Sequence, residues 1–237
     1  MDMTSRIAEA IKLNREPVAV YRTANPPENA VRFKAGTWGC VISLLNAASK
    51  GKTAVCSHDT GGCRGGRAGV GIEPLALGTI EFFLSVGGRG PKPGEFYKKS
   101  PALAADYINS LSDWKTEDSI VFQPLSEVGD DVAIDGVVFL CNMDQLSGLI
   151  TLANYDNNAQ DNVRVVFGSG CSQSILRPFS DDGKTCYIGL TDPSSRKFIE
   201  KDLASFTIPF KRFLDMEKEV EGSFLTKDTW SIIQKRI

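Results

Sequence analysis

Six cysteines and one histidine, His58, carry most of the reactive chemistry available to this 237-residue chain. A single histidine excludes every mechanism that needs two, HExxH zinc peptidases among them. No CxxC occurs, and the cysteine spacing matches no ferredoxin run, zinc ribbon or thioredoxin motif. A shared thiol site would therefore have to be assembled by the fold from cysteines distant in sequence. Cys63 and Cys171 each sit in a glycine-flanked turn after a strand, where a thiol faces a crevice and backbone N–H groups can stabilise thiolate charge. Cys40 opens a helix, whose dipole and free N–H groups lower a thiol pKa; Trp38 could wall that site off from water. Cys56 is either a fourth ligand or a core residue. Cys141 and Cys186 border or lie within apolar strands and read as core, since free cysteine is among the most buried residue types.

Between Gly61 and Gly71, six of eleven residues are glycine. The segment reads as a loop whose backbone can approach a ligand closely. Gly61, Gly62, Gly65, Gly66 and, in the second cysteine turn, Gly170 are the backbone candidates for lining a cofactor. Arg64 and Arg67 add positive charge that suits an anion. Two tempting motifs fail. Gly51-Lys52-Thr53 lacks the earlier glycine of a phosphate loop and follows a helix rather than a strand. The glycine segment is not a dinucleotide fingerprint, because Cys63 and Arg64 occupy its interior. His58 lies two residues from Cys56, which on a strand would turn both to one side.

The charges nearly cancel: 27 Lys and Arg against 29 Asp and Glu. That balance argues against a general nucleic-acid binder. No apolar run approaches the ~20 residues that span a bilayer, and no signal-peptide pattern opens the chain. The expected compartment is the cytoplasm, where thiols stay reduced.

The elements that must position these residues alternate between strand and helix. Helices are expected at 3–13, 40–49, 74–85, 101–111, 144–154 (with Asp144 as N-cap), 210–218 and 227–236. Strands are expected at 17–21, 52–57, 120–125, 136–141, 163–167, 185–190 and 205–208. The fold class is α/β: one domain over 1–237, with a mixed sheet flanked by helices. Segments 205–210 and 224–237 are expected to close a sheet edge. Strand, helix, strand and glycine-cysteine turn recur in that order in two halves, about 14–115 and 116–215. Such pseudo-symmetric halves would bring Cys63 and Cys171 to equivalent strand ends, where open α/β sheets bind ligands.

The stretch GCVISLLNAASKGKTAVCSHDTGGCRGGRAGVG resembles the signature of domain of unknown function family 169, the archaeal cysteine-rich family. VVFLCNMDQLSGLITLANY, GSGCSQSI, IGLTDPSSRKF and SFTIPFKRFLDMEKEVEGSFL resemble it too, so the likeness covers roughly residues 5–235. The resemblance implies a prokaryotic, cytoplasmic protein of a family common in anaerobes, and it names no reaction. It places family cysteines at Cys40, Cys63 and Cys171. This chain departs from the pattern at Cys56, where the family usually lacks cysteine, and at Arg64, where it often has proline.

The leading expectation is a 4Fe-4S cluster held by Cys40, Cys63 and Cys171, with Cys56, a small ligand or a substrate on the fourth iron. The alternative is a metal-free small-molecule or anion-binding module built on loop 61–71. A zinc site with His58 and a redox pair of Cys63 with Cys171 rank below these. The expected partners are a small-molecule ligand or a redox partner, with a homodimer favoured by base rate.

Overall fold

The computed structural model describes residues 4–60, 62–90, 93–111 and 115–237. Seven strands form one sheet: β1 (Val18–Thr23), β2 (Ala54–Cys56), β3 (Ser119–Pro124), β4 (Ile134–Cys141), β5 (Val163–Val165), β6 (Cys186–Gly189) and β7 (Ala204–Pro209). Their spatial order is β2-β3-β1-β4-β7-β6-β5. Every neighbouring pair is antiparallel except β5 and β6, so the sheet is mixed, as the sequence indicated.

The helices are α1 (Arg6–Ala10), α2 (Val41–Ala48), α3 (Arg64–Gly69), α4 (Ile80–Phe83), α5 (Pro101–Asn109), α6 (Met143–Ala153), α7 (Arg177–Ser180), α8 (Pro193–Arg196), α9 (Phe210–Glu219) and α10 (Asp228–Gln234). They cover both faces of the sheet. The continuous apolar run of β4 shows why: a strand with water on neither face needs no polar alternation. Val137, Phe139 and Cys141 point into one core, with α1, α6, α9 and α10. Val138 and Leu140 point into the other, with α2, Cys40, Cys56 and Cys171. Cys141 and Cys186 are fully buried in the first core, as expected.

Several local expectations are corrected. The glycine-rich segment is not a loop throughout: Arg64–Gly69 fold as α3. Cys171 lies not in a glycine-flanked turn but in a helical run, 170–180, in which Ser172–Leu176 wind as a π-helix before α7. The cap of α6 is Asn142, not Asp144. Its side chain accepts from the Gln145 N–H at 3.0 Å while Gln145 accepts from the Asn142 N–H at 2.9 Å, a capping box. The 74–85 helix shrinks to α4, because Gly78 takes a φ of +130° and its N–H is held by the Glu81 carboxylate. Segment 205–210 closes no edge: β7 lies inside the sheet, between β4 and β6, and the edges are β2 and β5. Segment 224–237 packs on the first face, where Trp230 donates to the Ala10 carbonyl at 2.7 Å.

The order strand, helix, strand, cysteine does recur in the two halves. However, α2 and α6 pack on opposite faces, and the pairings make β2 and β5 run in opposite senses at opposite edges. Strand ends thus give Cys63 and Cys171 no common position; the helices on the second face do.

Packing on both faces predicts that truncation on either is costly. Phe139→Ala should lose about 3–5 kcal/mol and Leu140→Ala about 2–5 kcal/mol in denaturant unfolding. A loss under ~1 kcal/mol for Leu140→Ala would mean that the second face is loosely packed.

Candidate functional site

Cys40, Cys63 and Cys171 lie at or beside the starts of three helical segments on the second face. Cys40 is the N-cap of α2 and Cys63 the N-cap of α3. Cys171 lies in the first turn of the 170–180 run. Two backbone bonds bring the first pair together: Gly62 N–H donates to the Thr37 carbonyl and Cys63 N–H to the Gly39 carbonyl, both at 2.8 Å. Gly62 has a φ of +137°, which an L side chain would resist.

The third cysteine is brought in by α3. A Cβ on Gly66 would lie 2.8 Å from both Cys63 Sγ and Val41 Cγ2. A Cβ on Gly69 would lie 2.7 Å from Cys171 Cβ and 2.9 Å from the Ser172 nitrogen. Residues three apart share a helix face, so α3 presents one bare backbone face to α2 and to the 170–180 run at once.

Around the first turn of α2 the thiols interact. The Cys40 thiol hydrogen-bonds the Cys63 sulfur. This contact is the main cause that raises the Cys40 pKa and lowers that of Cys63. The Cys63 thiolate also accepts from the Gly66 N–H at 3.2 Å and is favoured by the Val41 N–H. The Ile42 N–H acts in the same sense on Cys40 and Cys171. Cys171 is nonetheless pushed well up, first by burial and then by the charge of Cys63. Cys56 stands apart. It is fully buried in β2, its thiol is pushed up to about 12 by burial, and it does not line the cavity onto which the other three open.

That cavity measures about 700 Å3. Cys40, Cys63 and Cys171 line it, as do Gly62, Arg64, Gly65, Gly66 and Gly170 among the residues anticipated from sequence. Gly61 lies outside the described residues. The Gly170 N–H is not free for a ligand, because Asp192 accepts it at 2.5 Å. Arg67 is committed to Glu73 at 2.9 Å and to the His58 carbonyl at 3.0 Å, so the expected arginine pair reduces to Arg64 at the cavity. The exposed His58 approaches the Thr116 carbonyl at 3.3 Å and does not line the cavity. Among the described residues, no group of three or more His, Cys, Asp or Glu is placed to hold a metal ion.

Sequence reasoning missed two supports of the site. Asp192 latches the 170–180 run to α8. Besides Gly170 it accepts from the Ser194 and Ser195 backbone N–H groups at 3.0 and 3.2 Å, and from the Ser195 hydroxyl at 2.6 Å. The Asp-Pro-Ser-Ser sequence carried the signal, an N-cap followed by proline at N1. Tyr107, from α5, lines the cavity and accepts the Ser169 N–H at 3.3 Å. No local pattern marks it.

An open mixed sheet with helices on both faces, carrying three thiols on one cavity, defines an α/β protein with a cysteine-lined pocket. The chain belongs to domain of unknown function family 169, described as an uncharacterised ArCR family, whose profile matches residues 6–219. Neither a curated protein nor a solved structure matches the chain. Among the described residues, no helix is long and apolar enough to cross a membrane.

Two outcomes are expected. In metal-free protein Cys63, the most exposed of the three thiols and one whose pKa is brought down to about 6, should be alkylated first by iodoacetamide. The rate should climb between about pH 5 and 7 and then flatten, whereas an ordinary thiol keeps accelerating past ~8. Peptide mapping that finds Cys40 labelled first would contradict this. Gly69→Ala should displace the Cys171 segment and lower stability by about 1–3 kcal/mol, while Gly65→Ala, which meets nothing within 4 Å, should not.

Proposed function

We propose that this protein binds a 4Fe-4S cluster through Cys40, Cys63 and Cys171. The observation that carries the reading is that these thiols, drawn from three separate segments, line one cavity around the first turn of α2. Thiolates are soft donors of the kind iron–sulfur clusters require. The surroundings suit such a group. The Gly66 N–H is directed at Cys63 Sγ, and hydrogen bonds to sulfur tune a cluster's potential. Backbone N–H groups of Val41 and Ile42 favour the ionised thiols. When bound, a cluster with three protein thiolates supplies one iron as a Lewis acid toward an oxygen or sulfur of a small ligand. Cys56 lies off the cavity, which leaves that position to the ligand.

A metal-free binding module is the second reading, and the size of the cavity favours it. About 700 Å3 accommodates an organic molecule without any metal. On this reading the thiols are part of the wall.

Anaerobic purification with iron and acid-labile sulfide analysis separates the two. The cluster reading expects about four of each per chain. The Cys40→Ser, Cys63→Ser and Cys171→Ser variants should each lose most of the iron, and Cys56→Ser should keep it. Folded protein that takes up no iron after anoxic reconstitution would leave the metal-free module as the function.

A further inference from the structure

We infer that the cavity takes a flat aromatic anion, its rings against the aromatic walls and its negative group among three basic side chains. The inference deepens the cluster reading and rests on it only for the reactive end of the cavity.

Two aromatic pairs stand on the cavity wall. Trp38 packs against Phe198 with centroids 6.1 Å apart, and Tyr107 meets Phe167 edge-on at 4.9 Å. Trp38 is 57% exposed, and Phe167 is 44% exposed although Lys98 Nζ covers part of its ring at 4.0 Å. Large apolar rings left this open on a concave surface gain free energy when a ligand covers them. Flat ligands suit such walls, because offset and edge-on ring contacts add to the burial.

The charges specify the other end. Arg64, Arg89 and Lys197 line the same cavity, and among the described residues none of them forms an ion pair. Lys197 lies near the Phe198 ring at 5.4 Å, so its charge is held beside an aromatic wall, while Arg89 lies over the ring of Phe82, which is off the cavity, at 3.9 Å. The two carboxylates of the lining do not cancel them: Asp192 is buried and spent on Gly170, Ser194 and Ser195, and Glu95 has its own partner. A neutral aromatic would leave three cations unused, and a bare inorganic anion would leave the rings wet. A carboxylate, sulfonate or phosphate ester on a ring system meets both demands.

The test compares three probes on anaerobically purified protein. 1-Anilinonaphthalene-8-sulfonate has rings and charge, N-phenyl-1-naphthylamine has the same rings without the sulfonate, and inorganic phosphate has charge without rings. The sulfonate should bind at one site per chain, at least ~10-fold more tightly than the amine, and millimolar phosphate should not displace it. Trp38→Ala, and separately Arg64→Met with Lys197→Met, should each weaken sulfonate binding about 10-fold while leaving far-ultraviolet circular dichroism unchanged. Met143→Ser with Ile232→Ser, two exposed apolar residues off the cavity, should change nothing. Equal binding of the amine, displacement by phosphate, or loss only in the Met143/Ile232 variant would overturn the inference. Iron content, read on the same samples, separates the two proposals. Sulfonate binding without iron supports this one and removes the cluster; iron without sulfonate binding does the reverse.

Discussion

The backbone of α3 lies against the starts of two other helical segments at a separation that only glycine permits. Gly66 faces Cys63 Sγ and Val41, and Gly69 faces Cys171, each within 2.8 Å of where a Cβ would stand. Interiors packed this tightly do not deform continuously, so one methyl group on that face would force the three cysteine segments apart. The glycines are costly as helix formers, about 1 kcal/mol each relative to alanine. Contact with α2 and with the 170–180 run offsets that cost, so α3 is a helix created by its neighbours and not by its own composition.

The sheet makes that arrangement possible by being buried on both sides. Val138 and Leu140 of β4 give the second-face helices an apolar floor, and Val137 and Phe139 do the same for α1, α6, α9 and α10. Because β2 and β5 lie at opposite edges and run in opposite senses, Cys63 and Cys171 do not meet at equivalent strand ends, although the segments that follow β5 and β6 line the site. It lies on a face, where helix starts from both halves of the chain meet. The Asp192 latch to Gly170 and the bonds from Gly62 and Cys63 to residues 37–39 hold those starts in place.

Strong local signals were legible in the sequence. The β-branched run Pro17–Tyr21, the apolar run of β4 and the apolar spacing in 40–49 all named their elements within a few residues. Three cysteines singled out by their helix starts and glycine flanks do line one cavity. The failures share a cause. Gly-Gly-Cys-Arg-Gly-Gly and Gly-Ser-Gly-Cys read as turns because glycine lowers helix propensity, whereas here it serves close packing, a non-local property. The latch to the 170–180 run was equally non-local: Asp192 caps α8 locally, but it lies 22 residues from Gly170. Tyr107 and Phe167 reach the cavity from different elements, and nothing in either neighbourhood announces it. The edge assignment of 205–210 failed because strand order depends on pairing partners, which a single strand's composition does not encode.

The electrostatics of the thiols follow from the same geometry. Burial favours the neutral form of each, while the first-turn N–H groups of α2 favour the anion. Cys63 gains most from the amides and from the Cys40 proton, and its pKa falls. Once it is ionised, its charge raises the cost of ionising Cys171, which is already unfavourable through burial. Left to themselves, then, the three thiols support one negative charge and not three. Only a positively charged group among them would reverse that balance. The arginines and lysine of the cavity do not fill this role, since Arg64, Arg89 and Lys197 are solvent-exposed and the thiols beneath are largely buried. The cavity thus has two electrostatic zones: a buried one that disfavours anions without a cation to share, and an open, basic, ring-lined one that favours them.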